Sequence, residues 1–483
     1  MDSQDWPDTS NAIINLPRIS QSLPTVDEFP GLHEILELNE IFFEEVYPNV
    51  PFIHHAKHDP NRLHTLDVQP PLCLRYAMWA HAATRSSRYS DRAAQFYRNA
   101  RMHLEHDEMQ GDGLNFATVA HVQAWALITI VEAETPVPAR AYMSNKRAVA
   151  LCQLLGLHQI DNANLSSRQS SNMLQPPQDF VEAEERRRTF WYIYFSDCWA
   201  GSGTGQTPSI KDEEITTLMP SSEYAFREGH PETAQSLQCA TSNGLEQSAS
   251  SMGAAVVSGW ILEQCSVHLR QASDVKDHSR ERQFWLRHQQ LDNIISRILM
   301  NLPDHLRAAK TREPLAVFVN MCLHQFTISL FQAAIKLAQK SPSRYETVAR
   351  LRLRVHRAAE NIIDIMRAEA GTDVKKMCPF IPSCLYVAAT VYINDLSSGY
   401  EVEHAQEALL FIVHTIKLFR KYWRAAQMML AQILHNLKDC NIDLDATPAD
   451  ATALRCFSLV GEDFDALGPL FATDTLLGEL NVK

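Results

Sequence analysis

Several groups of residues have the side-chain types that chemistry requires. His54, His55 and His58 place two imidazoles at i,i+4 spacing, which on a helix could hold a metal ion. No glutamate accompanies them, and Pro48 and Pro51 precede them, so a loop cluster is the expected form. Gly201-Ser202-Gly203-Thr204-Gly205 has the glycine content of a phosphate loop but lacks its spacing, a preceding strand and a following Lys. His103 and His106, beside Glu105 and Asp107, are expected on a polar, water-facing side of a helix. Neither G-x-S-x-G nor H-E-x-x-H occurs. The ten cysteines are scattered, with no C-x₂-C, and most sit among apolar helical residues, as small hydrophobes in a reducing compartment do. Asp197 stands in an apolar helical run, where an unpaired carboxylate would be costly, so an arginine from Arg186–Arg188 or from elsewhere in the core is its expected partner. The expectation is a chain with no catalytic residue, no metal site and no bound cofactor.

The element that must position these residues is the stretch from Glu182 to Pro220. It opens with Glu182, Glu184 and Glu185, acids that suit the positive end of a helix dipole. Glu182–Arg186 and Glu184–Arg188 are spaced to meet on one helix face. Phe190, Trp191, Ile193, Tyr194, Phe195, Cys198 and Trp199 then leave little of the helix for water, which predicts a place at the centre of a large core. Gly201, Gly203 and Gly205 are expected to end it, with a second short helix running from Asp212 to Pro220. Before this stretch, a helix over 142–155 should close at Gly156 in a left-handed cap.

The order of features carries a resemblance. Leu155-Gly156-Leu157-His158-Gln159-Ile160-Asp161 is followed by Glu185-Arg186-Arg187-Arg188, Phe190-Trp191, Asp197, a Gly205 to Pro208 loop and Pro220. This is similar to the middle homology region of fungal-specific transcription factors, the domain that usually follows a binuclear zinc cluster. It departs at Gln159, where Arg is commoner, and at Gly205–Pro208, where an Arg is missing and the Pro comes one residue late. Val50-Pro51-Phe52-Ile53-His54, Leu302-Pro303 and Tyr422–Ala426 extend the likeness over roughly residues 35 to 437. The resemblance implies an all-α regulatory domain, nuclear action, and control of RNA polymerase II genes of a metabolic pathway or secondary-metabolite cluster. The zinc cluster itself needs six closely spaced cysteines, and no Cys precedes Cys73 in this sequence. DNA contact is therefore expected through a partner, in a homo- or heterodimer with a zinc-cluster protein, or through a missing N-terminal cluster. A coactivator and a small-molecule effector are the other partners that the resemblance implies. The alternatives are a co-regulator or sequestering partner that has lost DNA binding and, more weakly, a helical enzyme with an apolar pocket.

Composition fits this outline. The 483 residues are 45% hydrophobic, enough for a large core, and the net charge of −13 makes no general electrostatic footprint for DNA. The most apolar run, Leu315–Leu337, is interrupted by Asn320, His324, Gln325 and Gln332, so no membrane association is expected. Three regions are expected: a Pro-rich disordered lead (1–30), the helical regulatory domain (31–437) with polar surface insertions at 162–179 and 221–252, and an acidic-hydrophobic tail (438–483). In the tail Phe464, Leu467, Leu470, Phe471, Leu476 and Leu477 alternate with acids, a pattern that fits either an activation segment or a short amphipathic helix docked on the protein's own core.

Overall fold

Helices account for the regular structure of the described residues, which in this computed structural model are 29–58, 69–110, 115–133, 138–162, 174–273, 277–339 and 345–439. An N-terminal group comprises α1 (Leu32–Ile41), α2 (Leu72–Arg85), α3 (Ala93–Met109), α4 (Val119–Ala133) and α5 (Pro138–Leu154). The central helix α6 spans Phe180–Thr204 and is followed by two short helices, α7 (Glu223–Glu228) and α8 (Leu237–Asn243). A C-terminal group comprises α9 (Ser251–Ser273), α10 (His278–Asn301), α11 (Pro314–Gln339), α12 (Tyr345–Ala368), α13 (Ile381–Ser398), α14 (Val402–Phe419) and α15 (Arg424–Asp439).

Within the first group α2 packs on α3 and α4 on α5; within the last, α11 packs on α9 and α12, and α13 on α14 and α15. α6 touches α4 and α5 on one side and α9 on the other, so both groups share one hydrophobic core through it. Its sequence explains this place: every residue from Thr189 to Phe195 is buried, so no face is left for solvent. α11 passes the length and hydropathy test for a membrane span, yet its apolar window is mostly buried among the other helices.

Local chemistry sets the ends of α6. Asp179 caps it by accepting from the Glu182 amide at 2.8 Å, while Glu182 reaches back to accept from the Gln178 amide at 2.9 Å. At the far end the chain turns at Gly205, whose φ of 72° is left-handed. Gly201 and Gly203 do not end the helix as expected, but lie within its last turns. Gly201 is needed for another reason: a Cβ there would sit 2.7 Å from the Gln206 carbonyl oxygen of the returning chain.

Two further expectations are corrected. The helix expected over 212–220 is one 3-10 turn, Asp212–Glu214, after which the backbone extends to Pro220. Residues 221–252, read as a polar surface insertion, hold α7 and α8 and bury Phe226, Leu237 and Ala240. Those apolar residues are spaced too sparsely among Ser, Gln and Glu for a periodicity to show. The N-terminal lead up to residue 28, most of the 162–179 stretch, and the tail residues Phe464, Leu467, Leu470, Phe471, Leu476 and Leu477 lie outside the described residues.

Candidate functional site

The charged first turns of α6 form a buried lattice that ties three separate segments to one helix. Arg188 and Glu184 are both fully buried and paired, with Arg188 Nε donating to Glu184 Oε1 at 3.0 Å. Arg188 also donates to the carbonyls of Pro51 (3.0 Å), Ser221 (3.1 Å) and Ser222 (3.3 Å), and to Glu223 Oε2 at 2.6 Å. Its guanidinium lies 4.2 Å from the centre of the Phe226 ring. Burial alone would lower the Arg188 pKa, but Glu223 and Glu184 outweigh it and the pKa is raised, so the charge stays. Glu184 in turn accepts from the Ser221 amide (2.8 Å) and hydroxyl (3.1 Å).

The neighbouring arginines complete the lattice. Arg187 grips Asp161 with two parallel bonds of 2.9 and 2.5 Å, and Asp161 also accepts from the Leu218 amide at 2.9 Å. Arg186 donates to Glu182 (2.6 Å) and to the Gln175 carbonyl (2.8 Å). Glu185 pairs with Lys57 and accepts from Gln123 and the His54 amide, each at 3.3 Å. The His158 carbonyl accepts from the Thr216 and Thr217 amides, Trp191 Nε1 donates to the Leu218 carbonyl, and Pro220 offers its carbonyl to Ser250. Gly156 takes the left-handed cap with φ 68°, and Phe190 is fully buried. The motif residues from Gly156 to Trp191 thus converge with Pro220 on one structural joint. Asp197, Gly205 and Pro208 lie further along, at the other end of α6.

The arginine partner expected for Asp197 gives way to Lys146. Arg186–Arg188 lie nine to eleven residues away, roughly 14 to 17 Å along the helix at 1.5 Å per residue, beyond side-chain reach. Asp197 is 1% exposed; it accepts from Lys146 Nζ (2.6 Å), Asn145 Nδ2 (3.3 Å) and the Ser209 amide (2.7 Å). The bond to Ser209 holds the loop containing Pro208 against the helix.

The histidines do not form the ligand pair that spacing allowed. His55–His58 form a single 3-10 turn; the His54 ring meets the Phe226 carbonyl at 3.1 Å, and His58 is buried, with its pKa lowered by that burial to about 3. His103 does not face water: it is 6% exposed and stacks on Tyr76 at 5.6 Å, on the helix side shared with Phe96 and Ala100. One group among the described residues could hold a metal by geometry: Cys73, Asp107 and His121, whose ligand atoms lie within 4.8 Å of one another. His121 is already engaged by Asp107 at 3.1 Å and Thr118 at 2.8 Å. Sequence reading missed this group because its members stand on three different helices.

Also unseen in the sequence is a cavity of about 280 Å³ along the C-terminal half of α6, beyond the lattice at its first turns. Tyr192, Phe195, Trp199 and Phe380 supply aromatic surface, Trp423 and Met429 close the α15 side, and His81 and Arg85 approach from α2. The Trp199 and Phe380 ring centres are 4.8 Å apart, and Arg85 lies 4.9 Å over the Trp423 ring. The wall's chemistry is quiet. His81 Nε2 meets the Leu127 carbonyl at 2.8 Å, and burial lowers its pKa to about 4. Burial pushes the Cys265 and Cys378 thiols up to about 12, so they remain protonated.

Comparison with known proteins agrees with the likeness seen in the motif. Residues 40–352 match the Fungal specific transcription factor domain. The chain is 24% identical over 415 residues to the citrinin biosynthesis transcriptional activator ctnR of Monascus purpureus, covering 85% of this chain and 71% of that protein. It is 26% identical over 401 residues to the pigment biosynthesis transcriptional activator pigB of Monascus ruber, covering 81% and 71%. It is 30% identical over 324 residues to the azaphilone cluster-specific transcription factor azaR of Aspergillus niger, covering 65% and 67%. No solved structure matches. The family match spans α6 and the whole lattice, and the chain belongs to the fungal-specific transcription factor domain family.

Proposed function

We propose that the chain is a pathway-specific transcriptional regulator that controls a cluster of secondary-metabolite genes from the nucleus. The observation that carries this is the family match over residues 40–352 together with relatives whose names tie them to single biosynthetic clusters. The role is regulatory rather than enzymatic, in keeping with a cavity wall whose thiols stay protonated and whose histidine is already hydrogen-bonded. DNA contact is made through a zinc cluster, carried either by a dimer partner or by a longer form of this chain. The central helix α6 packs against both the N- and C-terminal helix groups, and a small-molecule effector acts on that unit. The acidic tail engages a coactivator.

The test is transcript profiling of a strain in which the gene is deleted. Transcripts of one contiguous set of biosynthetic genes are expected to change together. A profile with no such coordinated set would overturn the reading.

A further inference from the structure

The cavity beside α6 lies where the two helix groups meet. Its wall draws on α2, α4 and α5 from one group and on α9, α11, α13 and α15 from the other, with α6 between them. A molecule there would touch both groups at once, and would rest against the Trp423 turn from which α15 starts toward the tail. Its volume is near the lower end of the range for ligand sites, about 300–1,000 Å³, which suits a molecule of about two rings.

The lining indicates the chemistry. Phe195, Trp199 and Phe380 make an aromatic corner with ring centres 4.8 to 6.1 Å apart: Trp199 and Phe380 lie within 31° of one plane, and Phe195 stands at 83° to Phe380. Such a surface favours a flat conjugated molecule that can stack on it. Polar groups are scattered over a mainly apolar wall; they include the pairs Ser202 with Ser266 (3.2 Å) and Gln325 with Ser383 (3.4 Å), and the Thr129 and Ser329 hydroxyls. Ser266 and Ser383 donate to the Leu262 and Phe380 carbonyls at 2.7 Å, while the Ser202 hydroxyl can turn to donate to a carbonyl or phenol oxygen. The wall includes one residue of each charge, Arg85 and Glu45, so it offers no net complement to an ion, and a charged group among these aromatics would lose its hydration.

We propose that this cavity is the effector site, and that it takes a neutral, planar, conjugated molecule bearing one or more carbonyl or hydroxyl oxygens, stacked against the Trp199 and Phe380 pair with Phe195 set at an angle beside it. This rests on the reading of the chain as a regulator. Occupancy would fill a void shared by the two groups and stabilise their packing, which is how a ligand that binds only the folded form acts.

The test uses the purified full chain and prodan, a neutral two-ring aromatic ketone whose emission shifts to the blue in apolar surroundings. Prodan is expected to bind saturably at one site, to quench tryptophan emission and to raise the thermal midpoint. Ser329→Phe, which places a ring in the void from α11, should weaken binding at least ~tenfold, while Ser329→Ala should bind like the parent chain. If Ser329→Phe does not fold, Thr129→Phe fills the same void from α4. The anionic probe 1-anilinonaphthalene-8-sulfonate should bind at least ~tenfold more weakly than prodan. Absence of saturable prodan binding overturns the site. Undiminished binding to a folded void-filling variant overturns its location, and equal binding of the anionic probe overturns the neutral class. Any of these failures would leave the transcript profile of the deletion strain unaffected, so loss of the site and loss of the regulatory role are distinguishable.

Discussion

Replacing Arg188 by Met isolates the energetics of the lattice. The methionine keeps most of the volume of the side chain and removes the charge. Glu184 is then left fully buried with Ser221 and, at 3.5 Å, Arg187 NH1 as its remaining partners. The carbonyls of Pro51, Ser221 and Ser222 lose their shared donor. Breaking one side of a buried pair costs about 3–5 kcal/mol, and this site should fall in that range. In urea denaturation followed by circular dichroism, that corresponds to a midpoint lowered by roughly 1 M or more. Adding Glu184→Gln removes the stranded charge while keeping an acceptor for the Ser221 amide. The double variant should therefore recover about 1–3 kcal/mol relative to Arg188→Met alone. Glu223 is 44% exposed on its side chain, so Glu223→Gln should cost under about 1 kcal/mol. A cost below about 1 kcal/mol for Arg188→Met, or a double variant no more stable than the single one, would refute the reasoning.

Other perturbations follow from the same geometry. Lys146→Met leaves Asp197 buried with only Asn145 and the Ser209 amide, and should lower stability by about 3 kcal/mol, with Asp197→Asn added to it restoring part; both are read from urea midpoints. Gly201→Ala places a methyl 2.7 Å from the Gln206 carbonyl oxygen and should cost about 1–3 kcal/mol, whereas an unchanged thermal midpoint would show that the returning chain yields freely. Burial holds His58 near 3 and His81, His268 and His288 near 4, all below the ordinary 6.5. Between those values the unfolded chain binds more protons, so stability is present above about pH 6.5 and is lost as pH falls toward 4, at about 1.4 kcal/mol per pH unit per proton. Asp395, raised to about 7 first by burial and then by Glu401, acts in the opposite direction throughout that window and offsets about one of these four histidines. Urea midpoints at pH 7 and pH 5 should differ accordingly, with the lower value at pH 5.

The helical class and the central place of α6 were legible because Phe190–Phe195 leaves no polar face, and the i,i+4 pairs Glu182–Arg186 and Glu184–Arg188 form as their spacing predicts. The capping roles of Gly156 and Gly205 were legible for the same local reason. What the sequence hid was non-local. Arg188 meets Pro51 and Glu223, residues 137 and 35 positions away, and no periodicity announces such contacts. The partner of Asp197 was misjudged because proximity in sequence was favoured over the rise of the helix. The cavity was invisible because its wall gathers one or a few residues from each of many elements, every one of which reads alone as ordinary core.

Chromatin immunoprecipitation of an epitope-tagged chain tests the regulatory role most directly. The chain is expected at promoters within one biosynthetic gene cluster, the same genes whose transcripts change on deletion. A chain enriched at no promoter, in cells where that cluster is expressed, would contradict the account.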